Sequence, residues 1–417
     1  MATLARTWCA EQGAAVTSAR YFDLSDWARG HEIEAALREQ GAVHRTVVAD
    51  FMQVWVIGRY AEARAALKDR RLSKDAAGLA RIMQRQRREA GQTAVLSQMF
   101  SRHMLFSDGA AHDRLRGLVA AEFTRSRMEG LRPRVEHVTT SLLDVLAAAD
   151  GPVDLVEGLA FPLPLTVICQ MLGVPEADWA PFRGWTRALM EDHPDRTVPA
   201  SQAMEAYFDD LIRAKRAAPG DDLLSALVVA RDTEDRLSDG ELMATCFLLF
   251  VAGHETTTNL ISNAARCLLE NSAQWRRLTA NPTLVPMAVE EVLRYDSPVS
   301  RATHRYTAEA VTYGGVTIPA GEIVLVSLSS ANRDDRRFEA ADELRLDRDT
   351  TGHIAFGHGI HHCLGAALGR IEAQTALGQL TQRFPHARLA VPASDLKRTR
   401  SAIMNGHEAL PVALHGR

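Results

Sequence analysis

The chain has 417 residues, 46% of them hydrophobic and 24% charged, with 48 Lys and Arg against 52 Asp and Glu for a net charge of -4. This is ordinary globular composition, and so even a charge balance weighs against a nucleic-acid or other polyanion binder. The five cysteines, Cys9, Cys169, Cys246, Cys267 and Cys363, are odd in number and far apart, which leaves no disulfide framework or four-thiolate zinc site and favours a reducing, cytoplasmic setting.

In chain order, residues 1–20 read as a flexible N-terminal tail without the apolar run of a signal peptide, and 21–417 as a single domain, because no repeat or Gly/Ser/Pro linker divides them. Apolar residues at three-and-four spacing predict helices over 32–39, 128–149, 204–217, 223–229, 284–295 and 366–384. Extended, β-branched segments fall at 43–57, 310–326 and 389–414. Residues 73–98 carry Arg81, Arg85, Arg87 and Arg88 around a helical centre without a clean apolar face, and are expected to be a mobile surface segment. The longest apolar stretch, 242–253, is about twelve residues, short of the roughly twenty of a membrane-spanning helix. The expectation is a mainly α protein with small β-sheets, not associated with a membrane.

Four stretches carry chemistry. Phe356-Gly-His-Gly-Ile-His-His-Cys-Leu-Gly365 precedes the helix at 366–384. A thiolate just before a helix is stabilised by free backbone amides and the positive end of the dipole, which suits a metal ligand or nucleophile. Gly357, Gly359 and Gly365 permit backbone approaches that a Cβ would block. On spacing alone, His358, His361, His362 and Cys363 could equally form a zinc site. The second stretch, 237–270, opens with Ser238 and Glu241, a capping box, and at 1.5 Å per residue gives a helix of roughly 45 Å. It contains Ala252-Gly253-His254-Glu255-Thr256-Thr257, whose glycine and acid cost stability in mid-helix; function, or simple bonding to backbone and water, could explain them. The third, Glu291-Val-Leu-Arg294, is an i,i+3 pair, by itself no more than an ordinary ion pair. The fourth is His112-Asp-Arg-Leu-Arg116, with Arg305 and His361: an i,i+4 pair that could clamp a carboxylate or be solvated surface charge.

Phe356-Gly357-x-Gly359-x-His361-x-Cys363-Leu364-Gly365 resembles the haem-binding loop of the cytochromes P-450, and the resemblance runs over nearly the whole chain. It implies that family's fold, with haem b held between the long central helix and the cysteine loop. Cys363 would then ligate the iron, with Phe356, Gly357 and Gly365 shaping the loop, and His112, Arg116, Arg305 and His361 would bind the haem propionates. The hexapeptide, with Ala252 at its start, is similar to the family's oxygen-activation segment, and the resemblance implies that Gly253 and Thr256 widen the helix into a groove for dioxygen, that Thr256 hydrogen-bonds the oxygen, and that Glu255 relays protons. Glu291 and Arg294 match the structural ExxR pair. The chain departs from the family pattern at Leu368-Gly369-Arg370, where Leu-Ala-Arg is usual, and at Asn332-Arg-Asp-Asp335, where proline is frequent in the last place.

The resemblance implies a monooxygenase that uses O2 and electrons from a ferredoxin and ferredoxin reductase, acting as a monomer on a hydrophobic small molecule. Ser297-Pro-Val and the run 352–361 most resemble actinobacterial enzymes that tailor macrolides and other polyketides or peptides. Oxidative coupling or rearrangement, a steroid-like or xenobiotic substrate, and a haem sensor or carrier without turnover are the competing readings. Val251, Val299, Arg301, Ile403 and Met404 are expected to line the substrate pocket, with Arg301 either meeting an anionic or carbonyl-rich substrate or forming a salt bridge at the rim.

Overall fold

In a computed structural model of the chain, residues 30–48, 52–91, 102–190, 194–234, 237–399 and 401–415 are described; the expected tail at 1–20 lies outside them. Helix α1 (Gly30–Gln40) leads into the hairpin β1 (Val43–Val48) and β2 (Met52–Ile57), paired from Val43 with Ile57 to Val48 with Met52. Helix α2 (Tyr60–Lys68), strand β3 (Leu72–Ser73) and helix α3 (Ala76–Glu89) follow.

Helix α3 corrects the expectation of a mobile segment at 73–98, of which 92–98 lies outside the described residues. The Asp75 carboxylate caps it by accepting from the Gly78 amide at 2.7 Å. Its inner face is Gly78, Leu79, Ile82 and Gln86. Two of these are not apolar, which hides the stripe from a hydrophobicity count. Gln86 extends the hairpin edge, donating to the Gln53 carbonyl at 3.1 Å and accepting from the Gln53 amide at 2.9 Å. Gly78 lets the Tyr306 ring approach where a Cβ would overlap it.

The helix expected over 128–149 is two: α4 (Gly109–Ala120) precedes α5 (Arg125–Gly130), and α6 (Arg132–Ala147) starts anew with Pro133 in its first turn, where the missing amide costs nothing. Strand β4 (Val153–Asp154) and helices α7 (Pro162–Met171), α8 (Trp179–Met190), α9 (Pro194–Ala217) and α10 (Leu223–Glu234) come next. The pattern at 204–217 captured only the second half of α9, since Pro199 and polar neighbours blur its first half.

The 32-residue α11 (Asp239–Glu270) is the spine, about 48 Å long. Its capping box is formed, with Glu241 N donating to Ser238 Oγ at 3.2 Å and Ser238 N to Glu241 Oε2 at 2.8 Å. After it come α12 (Ser272–Ala280), α13 (Val285–Tyr295), β5 (Arg305–Thr307), β6 (Val311–Tyr313), β7 (Val316–Ile318), β8 (Ile323–Val326), α14 (Leu328–Asn332), α15 (Ala366–Arg383), β9 (Arg388–Leu389) and β10 (Pro411–Ala413). One sheet runs β1-β2-β8-β5-β3, a second β4-β10-β9, and β6 pairs with β7. The region 389–414, expected to be extended, is mostly irregular: besides β9 and β10 it is fastened by bridges from Met404 to Val299 and within itself from Arg398 to His407.

Two hydrophobic clusters divide α11 between them. Leu260, Ile261, Ala264 and Leu268 pack with α6, α12, α13 and α15, while Leu242, Cys246, Phe247 and Phe250 pack with α8, α9 and α10. Between the clusters the helix opens: Ala252 is exposed, and Gly253, Glu255 and Thr256 are only half-buried. A buried helix that loses its cover at its midpoint has a reason to be reachable there.

Candidate active site

The opening in α11 holds the polar hexapeptide. Thr256 Oγ1 donates to the Ala252 carbonyl at 2.8 Å, a back-bond that satisfies the hydroxyl inside the helix. Burial raises Glu255 to about 7, opposed by the Asn259 amide one turn on and the charge of Arg187. Asn259, at i+4 from Glu255, escaped the sequence reading although its spacing was visible. The position that a Cβ on Gly253 would take lies 3.1 Å from Ile168 Cδ1, so what this glycine does here is let α7 approach the spine.

The cysteine loop is built by backbone geometry. Gly357 and Gly359 have φ of +73° and +79°, a region costly to any other residue, and a Cβ on Gly359 would come within 2.9 Å of the Leu67 carbonyl at the end of α2. Cys363 N donates to the Phe356 carbonyl at 2.9 Å, and Phe356 lies under the Arg370 guanidinium, 4.5 Å from its ring centre. Gly365 caps α15 with nothing within 4 Å of its would-be Cβ, leaving open space beside the thiol.

Among the described residues, Cys169, Cys246 and Cys267 are buried, with thiols pushed to about 12 by burial, whereas Cys363 is exposed. Burial also raises Cys363, opposed by the Gly365 amide, Arg116 and Arg370. An accessible thiol that is nevertheless desolvated faces an internal void and not bulk water. The expected thiolate is therefore not secured by the helix terminus alone; a coordinated metal would deprotonate it outright. The zinc alternative finds no support: among the described residues no three His, Cys, Asp or Glu side chains are placed to hold one ion.

Nearby, the His112 and His361 rings stand edge to face at 4.6 Å, and Arg305 is buried at 4% exposure. His112 Nε2, His361 Nε2 and Arg305 Nε are all buried without a hydrogen-bond partner. His361 Nε2 is 3.8 Å from Asp108 Oδ1, too far for a hydrogen bond. The Arg305 Nε–H is a buried cationic donor without an acceptor, and each ring nitrogen can donate when it carries the proton, so the cluster is costly unless an acceptor arrives, and haem brings two carboxylates. Arg116 instead donates to the His362 carbonyl at 2.7 Å, which ties α4 to the cysteine loop. An accessible thiol, open space beside it and a nest of unpaired donors fit haem.

Glu291 and Arg294 are wholly buried and doubly bonded to each other at 2.8 Å. Arg294 also donates to the carbonyls of Asn332, Ala341 and Glu343, and Glu291 accepts from Arg345 N and Arg348 Nε. The pair thus anchors the coil that leads to the cysteine loop. Arg348 was not legible as a member.

Of the expected pocket residues, Val299 and Met404 are joined by a bridge, the Ile403 carbonyl accepts from Ser300 N at 2.7 Å, and Val251 packs at the edge of the second cluster. Arg301 is corrected: it is buried at 4% exposure, with Nη2 3.0 Å from Glu34 Oε1 and Nη1 3.0 Å from the Ala402 carbonyl. It forms the salt bridge, but inside the protein and not at a rim, and its Nε is buried without a hydrogen-bond partner. A groove of about 920 Å³ between α5, α6, α7 and α10 shares no residue with the hexapeptide or the cysteine loop; size without convergent chemistry does not make it the site. No described helix is long and apolar enough to cross a membrane.

Comparison with known proteins agrees with this geometry. The family model of cytochrome P450 matches residues 165–404. Cytochrome P450 107B1 of Saccharopolyspora erythraea is 48% identical over 383 residues, 92% of this chain and 94% of that protein. Mycinamicin IV hydroxylase/epoxidase of Micromonospora griseorubida is 41% identical over 364 residues, 86% and 89% of the two chains. The structure of tirandamycin C-bound P450 monooxygenase TamI superposes with a TM-score of 0.89 at 43% identity, covering 95% of this chain and all of that one. Matched along nearly its full length by relatives of this kind, the chain belongs to the cytochrome P450 family and is a haem-dependent monooxygenase.

Proposed function

We propose that Cys363 is the proximal thiolate, that His112, Arg305 and His361 hold the haem carboxylates with Arg116 beside them, and that the substrate is a bulky secondary metabolite of the macrolide or polyketide kind, hydroxylated or epoxidised. The observation that carries the reading is the opening in α11, where Thr256 and Glu255 become reachable in an otherwise buried helix. Relatives named for mycinamicin IV and tirandamycin C support the substrate class.

Bound haem supplies the one-electron chemistry that activates dioxygen, with the thiolate favouring O–O cleavage. The chain supplies the protons. Glu255, at about 7, holds a proton at neutral pH and can give it up, the match a relay requires. Asn259 and Arg187 limit how far burial can raise the carboxyl. The Thr256 hydroxyl, on the next residue of the helix, is the proposed carrier of that proton to the opening. One oxygen atom enters the substrate and the other leaves as water.

Electrons come from outside the chain; a small acidic ferredoxin with its reductase is the proposed source, and a cytoplasmic monomer the proposed form. The reduced, CO-treated absorption spectrum tests the ligand: a strongly red-shifted Soret band in the wild type and its loss in Cys363→Ser are expected, and a histidine-type band would sink the assignment. Thr256→Ala should consume O2 without matching product. Among substrates, a spin-state change with macrolactones and not terpenes is expected, and a product gain of one oxygen distinguishes hydroxylation from coupling, which loses two hydrogens.

A further inference from the structure

Lys74 is 1% exposed. Its Nζ donates to Thr303 Oγ1 and lies 5.3 Å from the centre of the Phe106 ring. Burying an ammonium among uncharged groups is costly unless an anion answers it, and burial accordingly drives the Lys74 pKa well down. The charged groups that act on it are Arg305, which repels it, and Asp108. Asp108 Oδ2 is already engaged, accepting from Ser73 Oγ at 2.6 Å and from the Lys74 and Asp75 amides at 2.8 and 3.1 Å. Around the ammonium, His103, His304 and His361 all feel its charge. Each of these three rings, and Arg305, has a buried nitrogen with no partner. Arg305, a lysine that burial keeps from holding its charge without an anion beside it, and a set of unpartnered ring nitrogens thus surround a place that a single, committed carboxylate does not satisfy.

We infer that Lys74 is a further haem carboxylate ligand, held for that purpose by Thr303. The assignment rests on the reading of His112, Arg305 and His361 as the carboxylate cluster, and extends it to a residue that reaches the cluster from the start of α3. Thr303 lies in the segment between the bridge at Val299 and strand β5, so the same hydrogen bond ties the cofactor's charged edge to the expected pocket wall.

The test uses the haem-loaded full chain and reads haem transfer to excess apomyoglobin and the ferric/ferrous midpoint potential. Lys74→Met keeps the length and removes the charge: haem release should quicken by about tenfold, as for loss of a charged hydrogen bond, and the midpoint should move negative, since a nearby cation favours the added electron. Lys74→Arg should restore both. Wild-type release and midpoint in Lys74→Met overturn the proposal; so does faster release with an unmoved midpoint and no rescue by arginine, the mark of a packing residue. Should Lys74→Met fail to fold, Thr303→Val keeps the charge and removes its tether: release roughly threefold faster is expected, and unchanged release overturns the proposal. Arg305→Met, run alongside, separates the failures. If it too keeps its haem, the carboxylate cluster as a whole is misread; if it loosens haem while Lys74→Met does not, only Lys74 is.

Discussion

Replacing Arg294 by methionine removes a guanidinium that is 0% exposed. Both of its bonds to Glu291, at 2.8 Å, disappear, and the carbonyls of Asn332, Ala341 and Glu343 lose a donor at 3.0, 2.8 and 3.1 Å. Breaking a buried ion pair from one side costs about 3–5 kcal/mol, and a stranded buried carbonyl about 1 kcal/mol or more. Arg348 Nε, 3.1 Å from Glu291 Oε1, keeps the carboxylate from being wholly unpaired, so the lower part of the range applies to the pair. Arg348 Nη2 also still donates to the Glu343 carbonyl at 3.2 Å, so with about 3 kcal/mol for the pair and about 1 kcal/mol for each of the Asn332 and Ala341 carbonyls a loss of about 5 kcal/mol is expected, a large share of the roughly 5–15 kcal/mol of a folded domain. The carbonyls that lose the Arg294 donor all belong to 332–343, so the damage should reach the cysteine loop as well. Urea unfolding followed by far-ultraviolet circular dichroism measures the first effect, and the ratio of Soret to protein absorbance the second. A variant that loses less than about 1 kcal/mol, the worth of an exposed pair, and retains full haem would refute the anchoring role. Glu291→Met combined with Arg294→Met should recover only part of the loss, because the carbonyls stay unpaired.

Two other outcomes follow from burial. Glu372 on α15 is fully buried, bonded to Thr257 and raised from an ordinary 4.5 to about 8 by desolvation, and Glu255 is raised to about 7. Both bind protons more tightly folded than unfolded, so their contribution to stability is complete below about pH 4.5 and fades as pH rises through 7 to 8; at about 1.4 kcal/mol per unit this amounts to several kcal/mol. Glu372→Gln should flatten the fall in urea midpoint between pH 5 and 9, and parallel curves for variant and wild type would contradict the assignment. Arg301→Met should destabilise the protein by about 3 kcal/mol by leaving Glu34 with only the Ser327 and Ser329 hydroxyls and no ionic partner, without altering the preference between anionic and neutral ligands in spectral titrations; a selective loss of anionic binding would return Arg301 to the pocket.

What could be read directly were the features whose cause is local. The Ser238 and Glu241 cap, the length of α11, the glycines of the cysteine loop and the register of Glu291 with Arg294 depend on residues a few positions apart, where helix and turn geometry leave little choice. A pattern of residue types, in the cysteine loop above all, also carries the family. Where the signal was not apolar it failed: α3 buries a glycine and a glutamine, and the helix over 128–149 breaks because Pro133 starts a new one. What tertiary structure alone decided is which charges are used up. Arg301 finds Glu34 across 267 residues, and Lys74 meets Thr303 across 229. No spacing in the chain announces either pairing. A charged side chain in water costs nothing to leave unpaired, whereas the same side chain in the interior must find a partner, and only the fold determines which of the chain's many arginines and lysines are buried.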